Sequence, residues 1–285
     1  FAAVWLSVRL GLAATLTPAQ LLLYRSNLLG SDKRITNFGG GNTSAKVIEK
    51  DPLTGQDVKV LWVKGSGGDL GTMKLDGFAT LYMDKFLSLE PFYKGKDSDS
   101  VLVPLYSHCT FNLNPRAASI DTPLHGLVDR AHVDHMHPDA LFAVAASGDS
   151  KALTKEIYGD EIGWLPWIRP GYELGLALRK FTRENPKARG VVLEAHGVFT
   201  WADTAKECYE NTLDVINRAT IWLEQKSRGK LPFGAFKTQA LPVEKRHEVA
   251  AAIMPRIRGL ISGTTRKVGH FDDSAPVLEF VCSEA

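Results

Sequence analysis

Apolar and polar positions along the chain switch between a helical and a strand period. Thr17-Pro18-Ala19-Gln20 is a capping box with proline at the first helical position, predicting a helix from there to about Gly30, which stops it. Residues 44–49 (SAKVIE) and 57–63 (DVKVLWV) read as strands joined by the turn Asp51-Pro52-Leu53-Thr54-Gly55, a hairpin. Glycine-rich loops flank it at 37–41 (NFGGG) and 65–71 (GSGGDLG). The pattern then predicts a helix over 76–90, a solvated loop at 95–100, a helix from Thr122, a strand over 131–136, and helices over 138–147 and 171–183. A buried strand at 190–194, a turn at His196-Gly197, a further strand and a long helix from Asp203 to about Lys226 follow. Residues 229–242 read as a linker, 243–261 as a helix, and the end as strand-like. Strands interleaved with covering helices predict an α/β domain with a sheet layered between helices, over 1–228, and a C-terminal extension over 229–285.

Composition narrows this picture. The 285 residues are 44% hydrophobic and 23% charged, which excludes disorder, collagen and coiled coil and leaves enough apolar side chain for a core. A formal charge of +2 gives no argument for a nucleic-acid or anionic-membrane partner. Cys109, Cys208 and Cys282 are odd in number and form no CxxC pair, so neither a disulfide framework nor a cysteine zinc site is expected, and a cytoplasmic setting fits. The opening stretch FAAVWLSVRLGLAATL has no basic start and is broken by Arg9; it reads as an amphipathic helix packing on the core rather than a signal or membrane segment.

The eight histidines carry more information. In AHVDHMHP, His135 and His137 stand two apart on a strand and so share a face, which suits either a bidentate metal grip or a packed pair. A catalytic zinc takes three protein ligands, and His196, at a strand end before a glycine turn, is the best third candidate. His132 faces the other way and reads as structural; His125 and His108 stay open, and His247 and His270 read as surface. GSGGDLG mimics a dinucleotide fingerprint, but no helix opens at its last glycine and no acidic strand end follows, so nucleotide binding is set aside.

Beyond these spacings, YRSNLLGSDKRITNFGGGNTSAK, WVKGSGGDLGTM, SIDTPLHGLVDRAHVDHMHPDA and the later His196-Gly197 occur in an order that resembles the class II aldolase/adducin family. The similarity is greatest to the aldolase part of bifunctional rhamnulose-1-phosphate aldolase/lactaldehyde dehydrogenase proteins, and it runs from about residue 20 to the C-terminus. It implies an α/β/α layered domain with a central, mostly antiparallel sheet. It also implies zinc held by His135, His137 and His196, and Asp121 as acid/base in place of the glutamate of simpler sugar-phosphate aldolases. Asn42, Ser66, Gly67 and Ser119 would hold the substrate phosphate, with Lys64 as added charge or merely a solvated strand end. Asp134 and Glu194 are rival carboxylates, better suited to supporting roles.

The implied activity is retro-aldol cleavage of a ketose 1-phosphate, L-rhamnulose 1-phosphate to dihydroxyacetone phosphate and L-lactaldehyde. An epimerase or dehydratase of the same family, a non-catalytic adducin-like module and a metal hydrolase are the alternatives. Relatives form homo-oligomers and borrow a tyrosine from a neighbour; Tyr158 and Tyr172 lie in the right region, though no motif selects either. The start at Phe1 and the end at Ala285 suggest a piece of a longer protein whose next part is a dehydrogenase domain.

Overall fold

The computed structural model describes residues 15–36, 40–231 and 233–284. The N-terminal amphipathic helix expected over the first sixteen residues lies almost wholly outside these, as do residues 37–39 of the 37–41 loop. The chain divides into two compact units, one up to Leu223 and one from Glu224.

In the first unit, helix α1 (Pro18–Ser31) starts at the capping box: Gln20 N–H donates to Thr17 Oγ1 and Thr17 N–H to Gln20 Oε1. The hairpin follows as β1 (Asn42–Lys50) and β2 (Asp57–Lys64). Residues 76–90 are not one helix: β3 (Phe78–Tyr82) precedes a short α2 (Met83–Leu87). Phe-Ala-Thr-Leu-Tyr is rich in residues that suit a pleated surface, and pairing with β2 outweighs the helical spacing of its apolar positions. After α3 (Asp99–Leu105) and α4 (Thr122–Gly126) come β4 (His132–Met136), α5 (Asp139–Ala145), α6 (Ser150–Tyr158) and β5 (Ile162–Leu165). Helix α7 (Tyr172–Glu184), β6 (Gly190–Leu193), β7 (Gly197–Ala202) and α8 (Ala205–Ser227) complete the series.

The seven strands form one sheet in the order β3-β2-β1-β4-β7-β6-β5. Every pairing is antiparallel except β5 with β6. On one face Val133, Val191, Phe199 and Trp201 pack under Leu124 of α4 and Leu174 and Leu178 of α7. On the other, Met136, Val192 and Val198 pack against Leu29, Leu141, Tyr158 and Tyr209, from α1, α5, α6 and α8. The expected α/β/α layering is therefore present, with β4 and β7 at its centre.

Behind β4 lies a buried polar cluster that ties α1 and α8 to the sheet. The Arg25 guanidinium forms an ion pair with Asp134 Oδ1 at 3.0 Å and donates to the Ser44 carbonyl at 2.8 Å and to His132 Nδ1 at 2.9 Å. Asp134 Oδ2 accepts from Thr212 Oγ1 and Cys208 Sγ. Because guanidinium can only donate, His132 must accept at Nδ1, and burial with the nearby Arg25 charge lowers its pKa to about 3. Asp134, on the sheet face opposite His135, is thus a structural anchor.

The second unit holds α9 (Val243–Ser262) and α10 (Ala275–Val281), a helix where a strand-like end was expected. Pro276 at the first turn and the hydrogen bonds closing on Leu278 and Phe280 fix that helix. Among the described residues no helix is long and apolar enough to cross a membrane.

Removing one member of a buried ion pair leaves the other without compensation, a loss of roughly 3–5 kcal/mol. Asp134→Ala, which strands Arg25 with both side chains fully buried, is expected to cost that much in urea unfolding. A loss under ~1 kcal/mol would show that the pair anchors nothing.

Candidate metal centre and the loops around it

The sheet register builds the centre. Asn42 lies directly across from His135, and His135 directly across from Phe199, so the three side chains share one face on β1, β4 and β7. Phe199 stacks on the His135 ring, with centroids 4.1 Å apart and planes 10° from parallel. His135 Nδ1 is 3.0 Å from the Val198 carbonyl and donates to it, which leaves the Nε2 lone pair free. His137, just past the end of β4, brings its Nε2 to 2.9 Å from His135 Nε2.

His196 joins from the turn between β6 and β7. Glu194 N–H donates to the Leu165 carbonyl and Ala195 N–H to the Ala145 carbonyl, pinning the turn to β5 and α5. Ala195 takes a left-handed φ of 51°, a costly conformation for a residue with a Cβ, just before the ligand candidate. Gly197 lets the turn close: a Cβ there would lie 2.6 Å from His137 Cδ2 and 2.7 Å from the Met136 carbonyl.

The candidate ligand atoms of His135, His137 and His196 all lie within 4.8 Å of one another. Two unprotonated nitrogens facing each other at 2.9 Å would repel, whereas nitrogens on one tetrahedral zinc stand about 3.3 Å apart. Burial lowers the pKa of all three imidazoles, favouring the neutral, metal-binding form. The donor set fits a divalent metal with an open position.

Three alternating residues of β1 join this face to α4, whose N-cap is Asp121. Asn42 Nδ2 donates to Asp121 Oδ2 at 2.7 Å, Ser44 Oγ and His125 Nδ1 are 2.9 Å apart, and Lys46 Nζ donates to the carbonyls of His125, Val128 and Arg130. Asp121 is thus held rigidly near His137. Burial raises its pKa, while Asn42, His137 and Lys64 pull the other way. One of the two Asn42 amide protons is committed to this carboxylate, a duty that sequence spacing did not reveal.

Of the other expected residues, Ser119 Oγ accepts the Asp121 N–H at 3.1 Å, and Ser66 and Gly67 sit on the exposed loop after β2. Lys64 is not a solvated strand end: it is 4% exposed and donates to the Gly67 carbonyl. Glu194 accepts the Trp167 N–H, a loop-bracing role. Of the histidines left open, His125, on α4, is buried and His108 is exposed. Arg116, beside the glycine loop, carries no motif and was missed.

Residues 20–223 match the family described as Class II Aldolase and Adducin N-terminal domain. The chain belongs to this family. This class II aldolase fold also recurs in solved structures. The N-terminal class II aldolase domain of a conserved protein from Thermoplasma acidophilum is 31% identical, with a TM-score of 0.66 over 73% of this chain and 94% of that one. A sugar-phosphate aldolase from Thermotoga maritima is 15% identical, with a TM-score of 0.54 over 75% of this chain and 97% of that one, a likeness of fold. Among curated proteins, the uncharacterized oxidoreductase YuxG of Bacillus subtilis is 40% identical over 263 residues, 92% of this chain. The chain spans 38% of that relative's length. Family and fold are those of metal-dependent, aldolase-type enzymes.

His125 supplies a test of the contact between β1 and α4. Its ring is buried, Nε2 has no partner, and burial with the Lys46 and Arg25 charges lowers its pKa to about 3. Unfolded histidine titrates near ~6.5, so between about pH 6.5 and 3 the unfolded chain binds more protons. Stability must then fall as pH drops through that window. In metal-free protein, His125→Asn is expected to flatten the slope of unfolding free energy against pH by up to about 1.4 kcal/mol per unit. Parallel slopes for parent and variant would contradict the assignment.

Proposed function

We propose that this class II aldolase family member is a zinc-dependent aldolase that cleaves a ketose 1-phosphate, L-rhamnulose 1-phosphate, to dihydroxyacetone phosphate and L-lactaldehyde. The observation that carries the reading is a half-buried carboxylate, Asp121, fixed by Asn42 beside a cluster of three imidazoles. His135, His137 and His196 would hold the metal, which supplies Lewis-acid polarisation of the substrate carbonyl.

The remaining chemistry belongs to the chain. Asp121 delivers a proton to C3 of the donor half after the C3–C4 bond breaks, and takes that proton back in the synthetic direction. Burial raises its pKa, and the Asn42 amide holds one of its two oxygens. Aspartate is one methylene shorter than glutamate, and it is tied to Asn42, which lies directly across from His135. Phe199 and the Val198 carbonyl orient the His135 ring, and the pinned turn at 194–196 orients His196. Asn42, Ser66, Gly67 and Ser119 would hold the phosphate, so that remote binding energy aligns the bond to be broken.

On this reading the chain serves rhamnose catabolism in the cytoplasm as a homo-oligomer. Residues 1–228 are then the zinc domain and 229–285 an extension leading to a dehydrogenase part that would oxidise the aldehyde product. The longer Bacillus subtilis relative, named an oxidoreductase, supports that arrangement.

The test is release of dihydroxyacetone phosphate, coupled to its reduction, from rhamnulose, fuculose and ribulose phosphates. Release from rhamnulose 1-phosphate is expected to stop with chelator and in His135→Ala, and to fall about 10²–10⁴-fold in Asp121→Asn, the usual worth of a general acid/base. Release that survives the chelator, or none from any of the three sugars, would overturn the reading.

A further inference from the structure

Helix α9 of the second unit is apolar over more of its surface than its own unit covers. The covered stripe is narrow. Arg246 pairs with Asp273 at 3.0 Å, Ala250 is buried, and Arg258 Nε donates to the Lys267 carbonyl at 2.9 Å. A Cβ on Gly269 would lie 2.3 Å from Met254 Cε, so the chain returning along the helix passes close to that side chain. Arg246, Ala250, Met254 and Arg258 are four apart, and residues 267–273 therefore lie along one line of the helix surface.

The stripe beside it is open. Val249, Ile253, Ile257 and Leu260 are spaced by four, four and three and so share a face. They are 41%, 48%, 43% and 78% exposed. Ile261 and Val268, both exposed, widen the apolar surface at the C-terminal end of the helix. A continuous apolar face of this kind marks an interaction surface. It lies outside residues 20–223, the part that matches the aldolase family.

Its pattern selects the occupant. Val249, Ile253 and Ile257 read the same in both directions about Ile253. Two copies laid antiparallel across a two-fold axis at Ile253 set that residue against itself. They also set Val249 of each copy against Ile257 of the other, the self-complementarity that an isologous contact requires. Charge agrees with this direction. Glu248 and Arg256, both exposed, stand on the flank of the stripe, one before Ile253 and one after it. Antiparallel pairing places Glu248 of each copy within a turn of Arg256 of the other, whereas parallel pairing would put Arg256 beside Arg256. Pro255, by its spacing, lies on the opposite side of the helix and leaves the face intact.

We propose that the Val249–Ile253–Ile257 face of α9 pairs with the same face of a second copy of this chain, antiparallel and two-fold symmetric. The pairing does not depend on the aldolase reading, since every residue in it belongs to the second unit.

Sedimentation velocity on the whole chain at micromolar concentration tests it, with Ile253→Glu as the breaking variant. The parent is expected to sediment as an even multiple of the chain and Ile253→Glu at half the parent mass, with metal content unchanged. Glu248→Arg should also shift the parent toward half mass, and Glu248→Arg combined with Arg256→Glu should restore it. Mild oxidation gives a second readout that leaves the contact in place, because the three native cysteines are buried. Ile253→Cys should cross-link to itself, and Ala251→Cys, on the far side of the helix, should not. A parent that sediments as a single chain, an unchanged mass in Ile253→Glu, or equal cross-linking at 251 and 253 overturns the proposal. Aldolase turnover, present or absent, bears on the other reading alone.

Discussion

Everything at the centre depends on the register of β1 against β4 and of β4 against β7. That register puts Asn42, His135 and Phe199 in one row on one face of the sheet. A slip of one residue would send His135 into the cluster around Asp134 and bring Asp134 to the metal side, since side chains alternate faces. The Arg25–Asp134 pair makes such a slip costly, because it would carry a buried charge away from its partner. The ion pair on one face therefore specifies the ligand geometry on the other.

The same logic extends to the acid/base group. Asp121 is the N-cap of a helix of five residues, too short to be stable alone. Its position comes from β1, whose alternating Asn42, Ser44 and Lys46 each bond to that helix or its flanks. Lys46 donates to carbonyls just past the helix end, where orphan acceptors need partners. Near-neutral composition is compatible with a locally positive loop: Lys64 and Arg116 each bond to a carbonyl of the segment after β2.

Much of this was legible in the sequence, and the misses have physical causes. The capping box at Thr17, the hairpin over 42–64 and the central strands carry local signals, so they could be placed. The segment 76–90 could not, because its strand character comes from pairing with β2, a tertiary contact. The C-terminal end reads as strand by composition but forms a helix after Pro276. Among site residues, His135 and His137 were visible by spacing and His196 by its glycine turn. The tie from Asn42 to Asp121 spans 79 positions, and that from Ser44 to His125 spans 81, separations with no local pattern. Lys64 looked like a solvated strand end because burial by a later segment, the one carrying Arg116, leaves no trace near residue 64.

The central claim is that three imidazoles and no other protein side chain hold one metal. Zinc-edge X-ray absorption on protein loaded with one equivalent of zinc addresses it directly. The account predicts three imidazole nitrogens at about 2.0–2.1 Å with the remaining position taken by oxygen. A sulfur shell near ~2.3 Å, or fewer than three imidazoles, would contradict it.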